Sequence, residues 1–191
     1  MESILSEILQ FTHNWLATPN LQTLQKEIDT SRALSILECG TFEGRSAFYF
    51  LENFCQNKSS SLCTIDFITR PNLEHNLAVV SAPQLSYVEG DFFRVLPQLL
   101  LDNNQYDLIY LDGGKDSIIT AFQVSVCWQM LAPQGILYFD DYQWGGEGVA
   151  RPREAIDFFL SAYEKEYELI FKNSQVAVRS KRPYTSPAPS F

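Results

Sequence analysis

The stretch Leu34–Ser46, LSILECGTFEGRS, decides how the rest of the chain is read. Its apolar opening, Leu34, Ile36 and Leu37, is the short run of a buried strand. The run stops at an acidic residue, Glu38. A turn with two glycines follows, Gly40 and Gly44, and a helical pattern then covers Ser46–Asn53. A strand, a glycine turn and a helix in that order build a nucleotide-type pocket. Gly40 permits a tight turn, Gly44 lets the backbone come close to a ligand, and the helix start offers free N–H groups. The dinucleotide fingerprint G-x-G-x-x-G is absent, and so is the G-K-[ST] of a phosphate-cradling loop. What remains is a carboxylate at the strand end, aimed at a ligand that carries a cation. The same letters also fit an ordinary strand–turn–helix with a glycine hinge, so the neighbouring sequence has to decide.

Downstream, strands and helices alternate. Ser61–Phe67, Leu85–Glu89, Tyr106–Leu111 and Ile136–Phe139 read as strands, the last after a Pro133-Gln134-Gly135 turn. Asn72–Val80, Phe92–Leu101 and Ser117–Leu131 read as helices between them. Pro152 starts a further helix that runs to about Tyr163. Glu168–Lys172 and Gln175–Val178, joined by Asn173 and Ser174, form a closing hairpin. This alternation predicts an α/β protein: a doubly wound, mostly parallel sheet with a C-terminal antiparallel hairpin. The front of the chain has no strand. Ile4, Ile8, Phe11, Trp15 and Leu16 have helical spacing over Ser3–Leu16, Thr18-Pro19-Asn20 breaks it, and Leu21–Ile28 is a second short helix. Residues 1–32 are therefore expected to be a helical cover over a single domain at 33–181. An apolar front helix suits a homodimer or intramolecular packing equally. His13 reads as structural or exposed, and His75 has no partner at ligand spacing. The tail, 182–191, carries three prolines and is expected to be disordered.

Composition narrows the function. The 191 residues are 46% hydrophobic and carry a net charge of −9, an acidic balance that repels phosphate backbones and anionic membrane surfaces. Neither nucleic acid nor a membrane is an expected partner. No apolar run reaches the ~18 residues of a membrane span, and the N-terminus lacks the basic and apolar regions of a signal peptide. Cys39, Cys55, Cys63 and Cys127 include no C-x-x-C pair, so they read as reduced, buried thiols of a cytoplasmic protein.

Acidic residues end or follow all five expected parallel strands: Glu38, Asp66, Asp91, Asp112, and Asp140 with Asp141. Ligands of such sheets bind beyond the carboxyl ends of the strands. Single strand-end aspartates are common as caps and turn formers, but caps alone explain the full series poorly. S-adenosylmethionine offers an ammonium, a sulfonium and a ribose without a phosphate. The E-x-G-x-x-x-G turn resembles the first motif of the class I methyltransferases, and the resemblance extends over about 150 residues to the closing hairpin. It implies that Glu38, Gly40, Thr41, Gly44 and Ser46 surround the methionine end of that cofactor. Asp66, about 20 residues past the turn, would accept from the ribose diol. Asp91 and Phe92 would meet the adenine, and Asp112 would face the same pocket.

Within that group, LDGGKD at 111–116 resembles the D-x-x-K-D of the cation-dependent O-methyltransferases of the catechol and caffeoyl-CoA type. FDDYQWGG at 139–146 resembles their D-N motif, with Asp141 where that group has asparagine. The text DDY also resembles the sugar O-methyltransferases acting on macrolides, which usually carry histidine where Lys115 stands. The resemblance implies Asp112, Asp140 and Asp141 as ligands of Mg²⁺ or another divalent cation, with Lys115 and Asp112 as catalytic residues. The loop of Trp144, Gly145, Gly146 and Gly148 would close over the acceptor. The expected activity is methyl transfer from S-adenosylmethionine to a hydroxyl of a small molecule. A metal-independent methyltransferase of the same fold and a non-catalytic S-adenosylmethionine-binding protein remain as alternatives.

Overall fold

The computed structural model describes residues 8–146 and 151–182. The elements run α1 (Thr18–Glu27), β1 (Ser35–Cys39), α2 (Arg45–Phe54), β2 (Ser61–Asp66), α3 (Pro71–Val80), β3 (Leu85–Glu89), α4 (Phe92–Leu101), β4 (Tyr106–Leu111) and α5 (Ser117–Met130). They continue with β5 (Leu131–Phe139), α6 (Pro152–Ala162), β6 (Tyr167–Lys172) and β7 (Val176–Ser180). The strands form one sheet in the order β3-β2-β1-β4-β5-β7-β6. β1 to β5 are mutually parallel, and β7 and β6 add antiparallel pairings, as the hairpin reading predicts.

The strand side chains alternate between two cores. Ile36, Leu62, Leu108, Tyr110, Ile136 and Tyr138 face α1 and α2, where Leu21, Leu24, Ala47, Phe50 and Phe54 cover them. Leu37, Ile65, Ile109, Leu111, Leu137 and Phe139 face α4, α5 and α6, against Leu96, Val124, Trp128, Ile156 and Phe159. Burial on both faces is why these strands read as continuous apolar runs. An aromatic ladder ties the first core together: Phe50 to Tyr110 at 5.2 Å, Tyr110 to Tyr138 at 5.0 Å and Tyr138 to Phe171 at 5.5 Å between ring centroids. Each such ring buries enough apolar area to contribute about 2–3 kcal/mol.

Two expectations change. Of the described residues in the expected Ser3–Leu16 helix only Ile8 is helical, residues 9–17 have no regular secondary structure despite their helical apolar spacing, and Thr18-Pro19-Asn20, expected as a break, begin α1 with proline in its first turn. The Pro133-Gln134-Gly135 turn lies inside β5 as a wide bulge: Tyr106 pairs with Leu131, Leu108 with Ile136, and Gln134 takes φ +61°. Residues 183–191 of the expected disordered tail, and Gly148, lie outside the described residues. Among the described residues no helix is long and apolar enough to cross a membrane.

The strand ends are held level. Gly40 N–H donates to Ile65 O, Gly90 N–H to Asp66 O, Asp112 N–H to Cys39 O and Asp140 N–H to Leu111 O, all at 2.8–2.9 Å. The ladder thus continues one residue past each strand and brings the acidic residues to a common rim. The strand order reverses between β1 and β4, the switch point at which open α/β sheets bind ligands.

Candidate active site

A cavity of about 520 Å³ opens at that switch point. Gly40, Thr41, Phe42, Arg45 and Ser46 form one wall, and Tyr110, Asp112, Lys115, Asp140, Asp141 and Trp144 form another. His13, Trp15 and Leu16 close the mouth.

The glycine turn is conformationally demanding. Gly40, Phe42 and Gly44 all take positive φ, at +104°, +51° and +87°. At Gly40 a Cβ would lie 2.7 Å from the backbone of Asp112, so the chain leaving β4 excludes a side chain there. Phe42 is held in its strained conformation by its N–H, which donates to Asp66 Oδ2 at 2.8 Å. The Arg70 guanidinium lies 4.7 Å over the Phe42 ring, and Trp15 packs 5.3 Å away.

Glu38 is completely buried beneath the turn. It accepts from Thr64 Oγ1, which also meets Thr41 Oγ1. Its other oxygen, Oε1, has no partner among the described residues. Burial pushes its carboxyl up from 4.5 to about 7, against the Thr64 bond and the neighbouring Ser46 hydroxyl, and the nearby Asp66 adds to the rise. An orphaned carboxyl oxygen beneath a cavity that Asp112, Asp140 and Asp141 also line is chemically matched to a cationic ligand. Glu38 therefore acts from below the cavity rather than from its surface. Asp66 keeps Oδ1 3.7 Å from Arg70 Nη1 while Oδ2 holds the turn. Its carboxylate thus orders the backbone, a role the spacing argument did not include. Gly44 is the N-cap residue of α2.

Asp91 and Phe92 are not among the residues lining the cavity. Asp91 caps α4 by accepting from Phe93 N–H at 2.9 Å, and Phe92 packs in the core beside Gly113. Asp116 likewise caps α5, accepting from Ile118 and Ile119 N–H at 2.8 and 2.9 Å.

The second acidic cluster is arranged around Lys115. Its ammonium donates to Asp112 Oδ1 at 2.7 Å and to Asp141 Oδ2. Burial, and then Asp140, push the Asp112 carboxyl from 3.8 up to about 7, with Lys115 opposing the rise. Asp140 accepts from Tyr110 Oη at Oδ2, and from Gln175 Nε2 (2.8 Å) and Asp141 N–H (2.7 Å) at Oδ1. Gln175 is fixed in turn by Tyr138 Oη and Asn20 Nδ2, both at 2.6 Å. Hard carboxylate oxygens from Asp112 and Asp141 fit a divalent cation in donor chemistry. They now close on Lys115, and no group of three or more His, Cys, Asp or Glu side chains among the described residues is set to hold a metal.

Sequence reasoning did not assign His13, Trp15, Leu16, Phe42, Arg45 or Tyr110 to the site. The four cysteines are free thiols, as expected, with Cys63 partly and the others fully buried.

Residues 37–142, more than half of the chain, match the family described as "Methyltransferase domain". No curated protein matches the chain. Among solved structures, the O-methyltransferase from Bacillus cereus in complex with SAH superposes with a TM-score of 0.69 at 18% identity, covering 94% of this chain and 92% of that one. The O-methyltransferase TomG from Streptomyces achromogenes, in complex with SAM, gives 0.69 at 15% identity, covering 95% and 91%. The MycE methyltransferase from the mycinamycin biosynthetic pathway, in complex with Mg and SAH, gives 0.68 at 12% identity over 93% of this chain. The present chain spans 54% of the length of MycE. At these identities the structures establish a shared fold, and the sequence match over the glycine turn and the acidic strand ends supplies the rest: the chain belongs to the methyltransferase domain family.

Proposed function

We propose that the protein is an S-adenosylmethionine-dependent O-methyltransferase acting on a hydroxyl of a small molecule, with residues 33–181 as the catalytic domain and 1–32 as its cover. The observation that carries this reading is the buried Glu38 with its unpartnered oxygen beneath a turn whose Gly40, Thr41 and Phe42 line the same cavity as Asp112. In this reading the turn and the start of α2 hold the methionine end, and Asp66 takes the ribose. Asp112 and Lys115 stand where the acceptor oxygen meets the methyl group. Once Lys115 has passed its own proton to the Asp112 carboxylate, its amine takes the hydroxyl proton as oxygen attacks the methyl carbon and the carbon–sulfur bond breaks. A methyl ether and S-adenosylhomocysteine result. Catalysis is mostly positioning of two reactants in line.

Asp112 and Asp141, with Asp140, are the residues that would hold a divalent cation. Bound there, the ion would polarise the acceptor hydroxyl and lower its pKa. A second reading is favoured by the contacts of Lys115 and the three bonds already made to Asp140: Lys115 itself is the cation of the site, and no metal is required. Calorimetric titration of Mg²⁺ and Mn²⁺ into the protein with S-adenosylhomocysteine separates the two. Stoichiometric binding that Asp141→Asn weakens supports the metal, whereas no binding and full activity in excess chelator support Lys115 alone. The four free thiols suit a reducing compartment such as the cytoplasm.

A further inference from the structure

Residues 9–17 are irregular, yet they are tied to the protein at four points by side chains that do not belong to the front segment. Glu43, inside the glycine turn, accepts from Thr12 N–H at 2.7 Å and from Thr12 Oγ1 at 2.9 Å. Asn76 of α3 makes a two-bond clasp on the Gln10 backbone, accepting from its N–H and donating to its carbonyl, both at 2.8 Å. The same Asn76 amide donates to Glu43 O at 2.9 Å, which joins the two ties. Arg45 donates to His13 O at 3.1 Å and lies 4.1 Å over the Phe11 ring.

Glu43 is 4% exposed, and its remaining bond comes from Asn72 Nδ2 at 2.9 Å. A buried carboxylate whose bonds run to a loop 31 residues away is expensive unless that loop stays in place. Charge-assisted bonds of this kind are about twice as strong as neutral ones. The segment they seat is the one that closes the cavity. His13 and Trp15 stack at 4.1 Å with rings 7° from parallel, and Trp15 meets Phe42 of the turn. Trp15 lines the cavity while 69% exposed, so most of its surface is free for a ligand.

We infer that Glu43 is a positioning residue: it fastens residues 9–17 to the cofactor turn, so that the cavity wall of His13, Trp15 and Leu16 is in place only when the turn has its ligand-holding conformation. The inference rests on the proposed function, because it takes the turn to hold S-adenosylmethionine. Glu43 is not among the residues lining the cavity. Its neighbours in sequence, Phe42 and Gly44, are the strained residues of the turn, and a ligand that fixes them fixes Glu43 as well. Order on the cofactor side is thereby passed to the strap through the two bonds to Thr12.

The test is amide hydrogen exchange of residues 9–17, read by mass spectrometry with and without S-adenosylhomocysteine, in wild type, Glu43→Gln and Thr12→Pro. Thr12→Pro removes both donors from the strap and leaves the sequence of the turn unchanged. In the wild type, saturating S-adenosylhomocysteine is expected to slow exchange across 9–17 at least tenfold. In Thr12→Pro the slowing should disappear and the affinity for S-adenosylhomocysteine should fall by about the same factor, because the coupling is reciprocal, and Glu43→Gln should show a partial loss of both. Binding to wild type without any change in strap exchange would overturn the inference alone, as would full protection in Thr12→Pro. Absence of S-adenosylhomocysteine binding to wild type would overturn the proposed function, and the inference with it.

Discussion

The buried Glu38 makes a quantitative prediction about stability and pH. Its carboxyl titrates at about 7 in the folded protein against 4.5 as its ordinary value. Between those values the native state keeps a proton that the unfolded chain has lost. The stabilisation is therefore fully present below pH 4.5 and is lost as pH rises through about 7. At about 1.4 kcal/mol per pH unit, the loss amounts to roughly 3 kcal/mol. Glu38→Gln keeps an oxygen that can accept from Thr64 but cannot ionise. The experiment is urea unfolding of both proteins at pH 4.5, 5.5, 6.5 and 8, with the difference in unfolding free energy taken at each pH so that other titrating groups cancel. Wild type should lose about 3 kcal/mol relative to the variant across this range, with most of the change between pH 5 and 7. The amide fills the site of the orphaned Oε1 and shifts the whole curve by a constant, so the slope carries the test. A pH-independent difference would refute the placement of an ionisable, desolvated carboxylate beneath the turn.

Three further outcomes follow from the geometry. Lys115→Ala should lower the rate of methyl transfer by about 10²–10⁴ while binding of S-adenosylhomocysteine is retained, and turnover at the wild-type rate would remove Lys115 from the chemistry. Gly40→Ala places a Cβ 2.7 Å from the Asp112 backbone at φ +104°, and chemical denaturation should show a loss of about 2–4 kcal/mol. Phe50→Ala removes the ring at the start of the aromatic ladder and should cost about 3–5 kcal/mol in the same assay.

The parallel strands were legible because burial on both faces leaves continuous apolar runs with acidic ends, and β3, α4 and β4 have the bounds that pattern predicts. The front segment was misread for a physical reason. Phe11, Trp15 and Leu16 have the spacing of a helix face, but Phe11 packs on Phe48 and Arg45, and Trp15 on His13 and Phe42. The polar residues between them, Gln10 and Thr12, are held by Asn76 and Glu43. Periodicity counts apolar positions and is blind to a backbone pinned by side chains 31 and 66 residues away. The same blindness hid the partners of Asp140. Tyr110 is on a neighbouring strand and Gln175 follows the closing hairpin's first strand, and only the sheet order β4-β5-β7 brings them together. Asp91 and Asp116 show the converse: a strand-end or loop aspartate also serves as a helix cap.

The most direct measurement is isothermal titration of S-adenosylmethionine into the wild-type protein and Asp66→Asn. One site per chain is expected, with a dissociation constant between about 1 μM and 1 mM, weakened roughly tenfold or more in the variant because the turn loses the carboxylate that holds Phe42. No binding to the wild type at about 1 mM cofactor would contradict the central claim that the strand-end carboxylates and the glycine turn converge on one cationic methyl donor.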